Sequence, residues 1–177
     1  MPVERYSTPA IWLHWMIALL IVCAFLLGLT VDAFPKSWDG AIVNLHVLLG
    51  LGVLVLSGAR VWWRLTHRPP ALPSGTSALT NRLSLVGHIL LYVMMFVVPL
   101  IGIPTLLYRG RGINFGLFQI SSPFARDPQI FRPLTDNHEL AAYALVLLAA
   151  GHAMAAIYHH VILKDRLLLR MTRSRSP

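Results

Sequence analysis

Cysteine is nearly missing from this chain: Cys23 is the single one among 177 residues. An intrachain disulfide framework, a cysteine-based zinc site and an iron–sulfur cluster are thereby excluded. Charge is scarce as well, with Asp, Glu, Lys and Arg making up 12% of residues, against about a quarter in an ordinary soluble domain. Acid is the scarcer sign, seven residues against fifteen basic ones, which leaves a formal net charge of +8. With 56% apolar residues and a mean hydropathy of +0.64, the chain lacks the polar surface to coat a water-soluble globule. The same composition excludes disorder, because there is ample apolar area to bury. The length suits one domain spanning 1–177.

What the chain has instead is long apolar runs. They cover Ala10–Val31, Ala41–Trp63, Leu83–Tyr108 and Leu140–Leu163. Each exceeds the roughly 20 residues a helix needs to cross about 30 Å of hydrocarbon. They are too long, and alternate too little, for strands. The expected fold is an all-α membrane protein, an up-and-down bundle of four transmembrane helices over about 10–31, 41–63, 83–108 and 139–163. The first run is too long for a cleavable signal and ends in no small-x-small site, so it reads as a retained helix. Pro69, Pro70 and Pro73 stiffen the connector Thr66–Ser77. Arg109–Asn137 reads as a long loop punctuated by Pro123, Pro128 and Pro133, with Ile113–Phe118 at the membrane interface.

The basic residues orient the bundle. Ten Lys and Arg fall on the side holding the N-terminus, the Arg60–Arg82 stretch and the tail, against five on the other side. The positive-inside rule then places both termini in the cytoplasm. The tail Lys164–Arg175 reads as a basic anchor beside anionic lipid rather than a nucleic-acid arm. Trp12, Trp15, Trp38, Trp62, Trp63 and Tyr108 lie near helix ends, where interface anchors belong.

Eight histidines carry most of the chemical information, six of them inside the apolar runs and His138 at the edge of the fourth. An ionisable side chain inside a membrane is costly and marks a candidate site. His138 and His152 are 14 positions apart, about 40° short of four full turns, so they share a helix face about 21 Å apart along the axis. By depth, His14 matches His152 on the inner side and His46 matches His138 on the outer side. Two opposed imidazoles at one level suit bis-histidine ligation of a haem iron, and bundle interiors are where such sites are built. Zinc or copper wants three or four converging ligands. No Cys-x-x-Cys-His is present, so attachment of the c type is excluded. Gly28, Gly50, Ala149 and Gly151 are small enough to admit a flat macrocycle or, equally, to serve close helix packing.

His159 shares a face with His152 about 10.5 Å nearer the inner surface, and His88 opens the third helix on the same side. The two suit a polar pocket that hydrogen-bonds quinone oxygens and moves protons; the alternative is interfacial histidines facing headgroups. His160 points about 80° away and reads as interfacial, and His67 is a loop residue without a role. On the outer side Arg109, Arg111, Arg126 and Arg132 form an unexpected cationic stretch. Arg109 and Arg111 suit focusing of small anions toward the outer pair; pairing with haem propionates or a solvated loop are the alternatives.

Taken in order, Tyr6–Ser7, Ile11–Trp12–Leu13–His14–Trp15, Asn44–Leu45–His46, the Arg60–Arg64 stretch, Gly87–His88, Leu91–Tyr92, Tyr108–Arg109–Gly110, His138–Glu139, Gly151–His152, His159–His160, Lys164–Asp165 and Leu169–Arg170–Met171 resemble the bacterial cytochrome b561 family over nearly the whole chain. The resemblance implies an inner-membrane protein with two haem b groups, one on His14 and His152 and one on His46 and His138. It further implies superoxide oxidation at the periplasmic face and ubiquinone reduction near the cytoplasm, with His88 and His159 at quinone-site positions and Arg109 and Arg111 on an anion-collecting surface. Other members of the family are electron-transfer subunits for partner dehydrogenases, which is the alternative reading. A third, non-redox possibility is a small transporter that relays protons through its histidines.

Overall fold

The computed structural model describes residues 5–67, 70, 77–165 and 167–172. Four helices dominate: α1 Thr8–Thr30, α2 Asp39–Thr66, α3 Ala78–Tyr108 and α4 Pro128–Val161. All four are long and apolar enough to cross a bilayer. Their outward faces remain apolar and exposed, Val55 at 68% and Leu147 at 73% for example, as expected of helices solvated by lipid.

α1 packs along α2 and α3 along α4, two helical hairpins joined through an α2–α3 seam and closed by a narrower α1–α4 contact. At mid-height one residue from each helix meets in a central layer, Ile17, Val53, Met95 and Leu145. This layer divides the interior into two levels, one toward each end.

Three differences from the sequence reading concern α4 and its surroundings. α4 begins at Pro128 rather than near 139, so the loop after α3 is shorter than the composition suggests. Asp127 caps the helix, its side chain accepting the Gln129 N–H at 2.9 Å, and Pro128 occupies the first turn, where no amide donor is needed. Pro133 lies within the early turns of α4. Ile113–Phe118 belongs to a small hairpin, β1 Ile113–Asn114 against β2 Gln119–Ile120, antiparallel. Gly116 turns it at a φ of +86°, with its N–H donated to the Asn114 side chain. Asn44 at the start of α2 fastens the hairpin from both sides: its Nδ2 donates to the Asn114 carbonyl and its Oδ1 accepts the Asn114 N–H, each at 2.9 Å.

At the opposite end the segment after α4 folds back onto α1. Tyr6 N–H donates to the Arg170 carbonyl at 3.2 Å, and Trp15 Nε1 donates to the Met171 carbonyl at 2.8 Å. Arg170 is buried, with its guanidinium over the Tyr6 ring, so it departs from the lipid-facing role expected of the basic tail. Trp63 likewise turns inward to donate to Ser7 Oγ at 3.0 Å, whereas Trp12, Trp38 and Trp62 stay exposed near helix ends. Arg68, Pro69, Pro73, Arg166, Arg173 and Arg175, which figure in the connector and tail readings, lie outside the described residues.

Candidate functional site

α1, α2 and α4 set four histidines into two facing pairs. The rings of His14 and His152 have centroids 6.2 Å apart, and those of His46 and His138 5.9 Å apart, each pair with steeply inclined planes. Two imidazoles that ligate one ion from opposite sides, each nitrogen about 2 Å from it, have ring centres about 6 Å apart. Both pairs therefore leave room for an iron between them. Among the described residues no group of three or more His, Cys, Asp or Glu is arranged to hold a bare ion. A pair supplies two axial ligands and leaves the remaining positions to a macrocycle.

The outer pair is oriented with care. His46 Nδ1 lies 2.8 Å from the Ala24 carbonyl, and His138 Nδ1 lies 2.9 Å from the Val98 carbonyl. A carbonyl only accepts, so each Nδ1 carries the proton and each Nε2 keeps its lone pair for a metal, the arrangement that fixes the tautomer of ligating histidines. The carbonyls are reachable because a glycine follows each by four residues, Gly28 after Ala24 and Gly102 after Val98. A Cβ at Gly28 would stand 3.2 Å from His46 Cε1, and one at Gly102 would stand 3.0 Å from His138 Cε1. A cleft runs beside this pair, lined in part by Phe25, Gly50, Val53 and Leu145. Gly50 has open space where a Cβ would be. The paired donors, with their tautomers fixed and glycines beside them, suit a flat macrocycle. Gly151, by contrast, is exposed on the outside of α4, and a Cβ there would meet nothing within 4 Å.

At the inner level a third imidazole joins the pair. The His88 ring lies 5.2 Å from that of His152, inclined by 72°, closer than two ligands of one ion stand. Its Nδ1 donates to the Ser84 carbonyl at 2.6 Å. His159 turns elsewhere, its Nδ1 against the Asp165 carboxylate at 2.5 Å. His88 thus packs on the inner pair while His159 faces the segment after α4. His160 Nδ1 is buried and without a hydrogen-bond partner, which departs from a headgroup-facing position. His67 stacks on Trp63 at 3.7 Å.

Arg109 and Arg111 gather near the outer pair. Arg111 Nη2 meets the Asp39 carboxylate at 2.5 Å. Arg109 Nη2 donates to Thr135 Oγ1 at 3.1 Å, and its guanidinium lies 5.3 Å over the Phe131 ring, with Arg126 over the same ring at 5.5 Å. Burial, then the neighbouring Arg111, pull Arg109 below its ordinary value, although a guanidinium remains charged at any physiological pH. Arg109 Nε and Arg111 Nη1 are buried without partners, a donor surplus suited to anions.

The chain matches the family model of prokaryotic cytochrome b561 across residues 5–174. The chain belongs to the prokaryotic cytochrome b561 family. It is 32% identical over 172 residues to a probable superoxide oxidase, CybB, of Yersinia pestis, covering 95% of this chain and 96% of that one. It is 31% identical over 171 residues to cytochrome b561 homolog 1 of Escherichia coli K12, covering 95% and 97%. A cytochrome b562 of Cereibacter sphaeroides is 35% identical over 176 residues, covering 96% of each chain. This cytochrome b561 is accordingly an electron-transfer protein of oxidoreductase type, with b-type haem, spanning the bacterial inner membrane four times.

The sequence reading did not single out Gly102. Its signal was available: a glycine in an apolar helix, at the depth of a histidine from the next helix, is where an imidazole reaches a backbone carbonyl.

Proposed function

We propose that this cytochrome b561 binds two haems, oxidises superoxide at its periplasmic end and reduces ubiquinone at its cytoplasmic end, with both termini in the cytoplasm. The observation that carries the reading is the stacking of two histidine pairs at two levels of one bundle, which suits a path across the bilayer. His46 and His138 hold the outer haem and His14 and His152 the inner one. The haems supply one-electron chemistry at two fixed depths. Arg109 and Arg111 draw a small anion toward the outer pair. His159, with Asp165 as its acid partner, brings protons to the quinone, and His88 forms the wall between quinone and inner haem. Two superoxide ions give up one electron each and leave as two dioxygen molecules. One ubiquinone takes both electrons and two cytoplasmic protons to become ubiquinol. The relative named as a probable superoxide oxidase supports the donor.

The test is stopped-flow mixing of the purified holoprotein with superoxide, with haem absorbance as the readout, in the presence and absence of ubiquinone. Rapid haem reduction, followed by reoxidation only when quinone is present, is expected. His14→Ala or His152→Ala should remove the inner haem alone, leaving a protein that superoxide reduces but quinone does not reoxidise. A holoprotein that superoxide leaves oxidised, and that becomes reduced only with a partner dehydrogenase, would establish the subunit reading instead. The exposed apolar hairpin tip, Phe115, Leu117 and Phe118, offers such a partner a surface. A native preparation without haem absorption would leave only the proton-relay reading.

A further inference from the structure

α2 carries a guanidinium into the bundle at the level of the inner histidines. Arg60 lies six positions before the end of α2, and His14 six positions after the start of α1, each about 9 Å from the same end of the bundle. Arg60 Nε donates to Tyr92 Oη at 3.1 Å. Arg64, one turn on, sits 6.0 Å over the face of that same ring. Arg60 Nη1 is buried and has no hydrogen-bond partner. The positive field of Arg60 falls on His14, His88 and His152.

A guanidinium does not lose its proton, and a cation in the low-dielectric interior is costly unless a counter-ion faces it. The described acids do not supply one. Asp32, Asp39, Asp127, Asp136 and Glu139 all belong to the opposite end of the bundle. Asp165, at the near end, is engaged by His159 and by the Leu167 N–H. Among the described residues no side chain supplies the negative charge, and a bound anionic group would.

We propose that Arg60, held in place by Tyr92, is the clamp for a propionate carboxylate of the haem on His14 and His152. This rests on the reading of that pair as a haem site. Haem brings two permanent carboxylates, matching a permanent cation, whereas a quinone offers neutral carbonyl oxygens that need a donor but no counter-charge. A carboxylate on the orphaned Nη1 completes the donor set of Arg60 in the geometry guanidinium groups favour. The remaining positive field around the inner iron disfavours its oxidised, more positive form.

Optical redox titration of the purified holoprotein, with haem content and infrared difference spectra, tests the clamp. In Arg60→Gln both haems should remain. The reduction equilibrium of the inner centre should shift about tenfold toward the oxidised form, about 59 mV for a one-electron couple, with the outer centre unmoved. The infrared bands of propionate should shift as well. Arg60→Lys should recover most of the equilibrium shift. Tyr92→Phe, which keeps the charge and removes its anchor, should move the inner centre in the same direction by less, and it serves if Arg60→Gln does not fold. An unmoved inner centre in Arg60→Gln, or in Tyr92→Phe where Arg60→Gln does not fold, overturns the proposal. So does a changed ubiquinone KM at constant potential, which gives Arg60 to the quinone. A wild-type protein holding haem at the outer pair alone removes the underlying reading, and the clamp with it.

Discussion

At Gly102 the whole constraint on a ligand pair is visible in one missing methyl group. Replacing a helical glycine by alanine ordinarily stabilises a helix by about 1 kcal/mol. Here the added Cβ would stand 3.0 Å from a carbon of the His138 ring, and that ring cannot retreat without giving up the Val98 carbonyl at 2.9 Å. Gly102→Ala is therefore expected to lower occupancy of the outer haem and leave the inner one intact, and Gly28→Ala, with 3.2 Å available, to do so more mildly. Haem-to-protein stoichiometry with resolved spectra measures this; a fully loaded, spectrally unchanged Gly102→Ala protein would contradict it. Histidine spacing was legible in the sequence because helical geometry turns residue number into depth and face. The tautomer was not, because it depends on a carbonyl from another helix. Nor was Arg60, which stood in a recognisable stretch but whose orphaned nitrogen appears only once Tyr92 is packed beside it.

At the scale of elements, four helices could be read because lipid demands a long uninterrupted apolar run, which no soluble core imposes. The first three turns of α4 escaped because they are polar and contain prolines, and their order comes from a cap at Asp127 and from Phe131, buried beneath Arg109 and Arg126. The hairpin escaped because strands of two residues are too short for any periodicity to register. Its attachment runs through the two hydrogen bonds of the Asn44 side chain to Asn114, each worth about 1 kcal/mol net. Asn44→Ala should release the hairpin while α2 persists. Hydrogen exchange at the Asn114 amide reports it: faster exchange is expected, and unaltered protection would mean that the hairpin is held elsewhere.

For the molecule as a whole, composition already excluded a soluble globule, and the balance of basic residues gave an expected orientation. Arg109 and Arg111 stand against that balance, at the end where cations are scarce. If they collect an anion, the Arg109→Gln/Arg111→Gln protein should react with superoxide about tenfold more slowly at low ionic strength. The difference should shrink as salt brings the screening length to about 8 Å near 0.15 M; equal stopped-flow rates for the two proteins at low salt would dismiss the idea. The layer of Ile17, Val53, Met95 and Leu145 has a consequence of another kind. None of these side chains binds a proton, so in the proposed path an electron would pass between the two levels without one. In the proposed direction each electron then moves toward the negative interior of an energised cell. A potential of 100 mV opposes a full crossing by about 2.3 kcal/mol, which makes turnover electrogenic and slows it as the membrane charges.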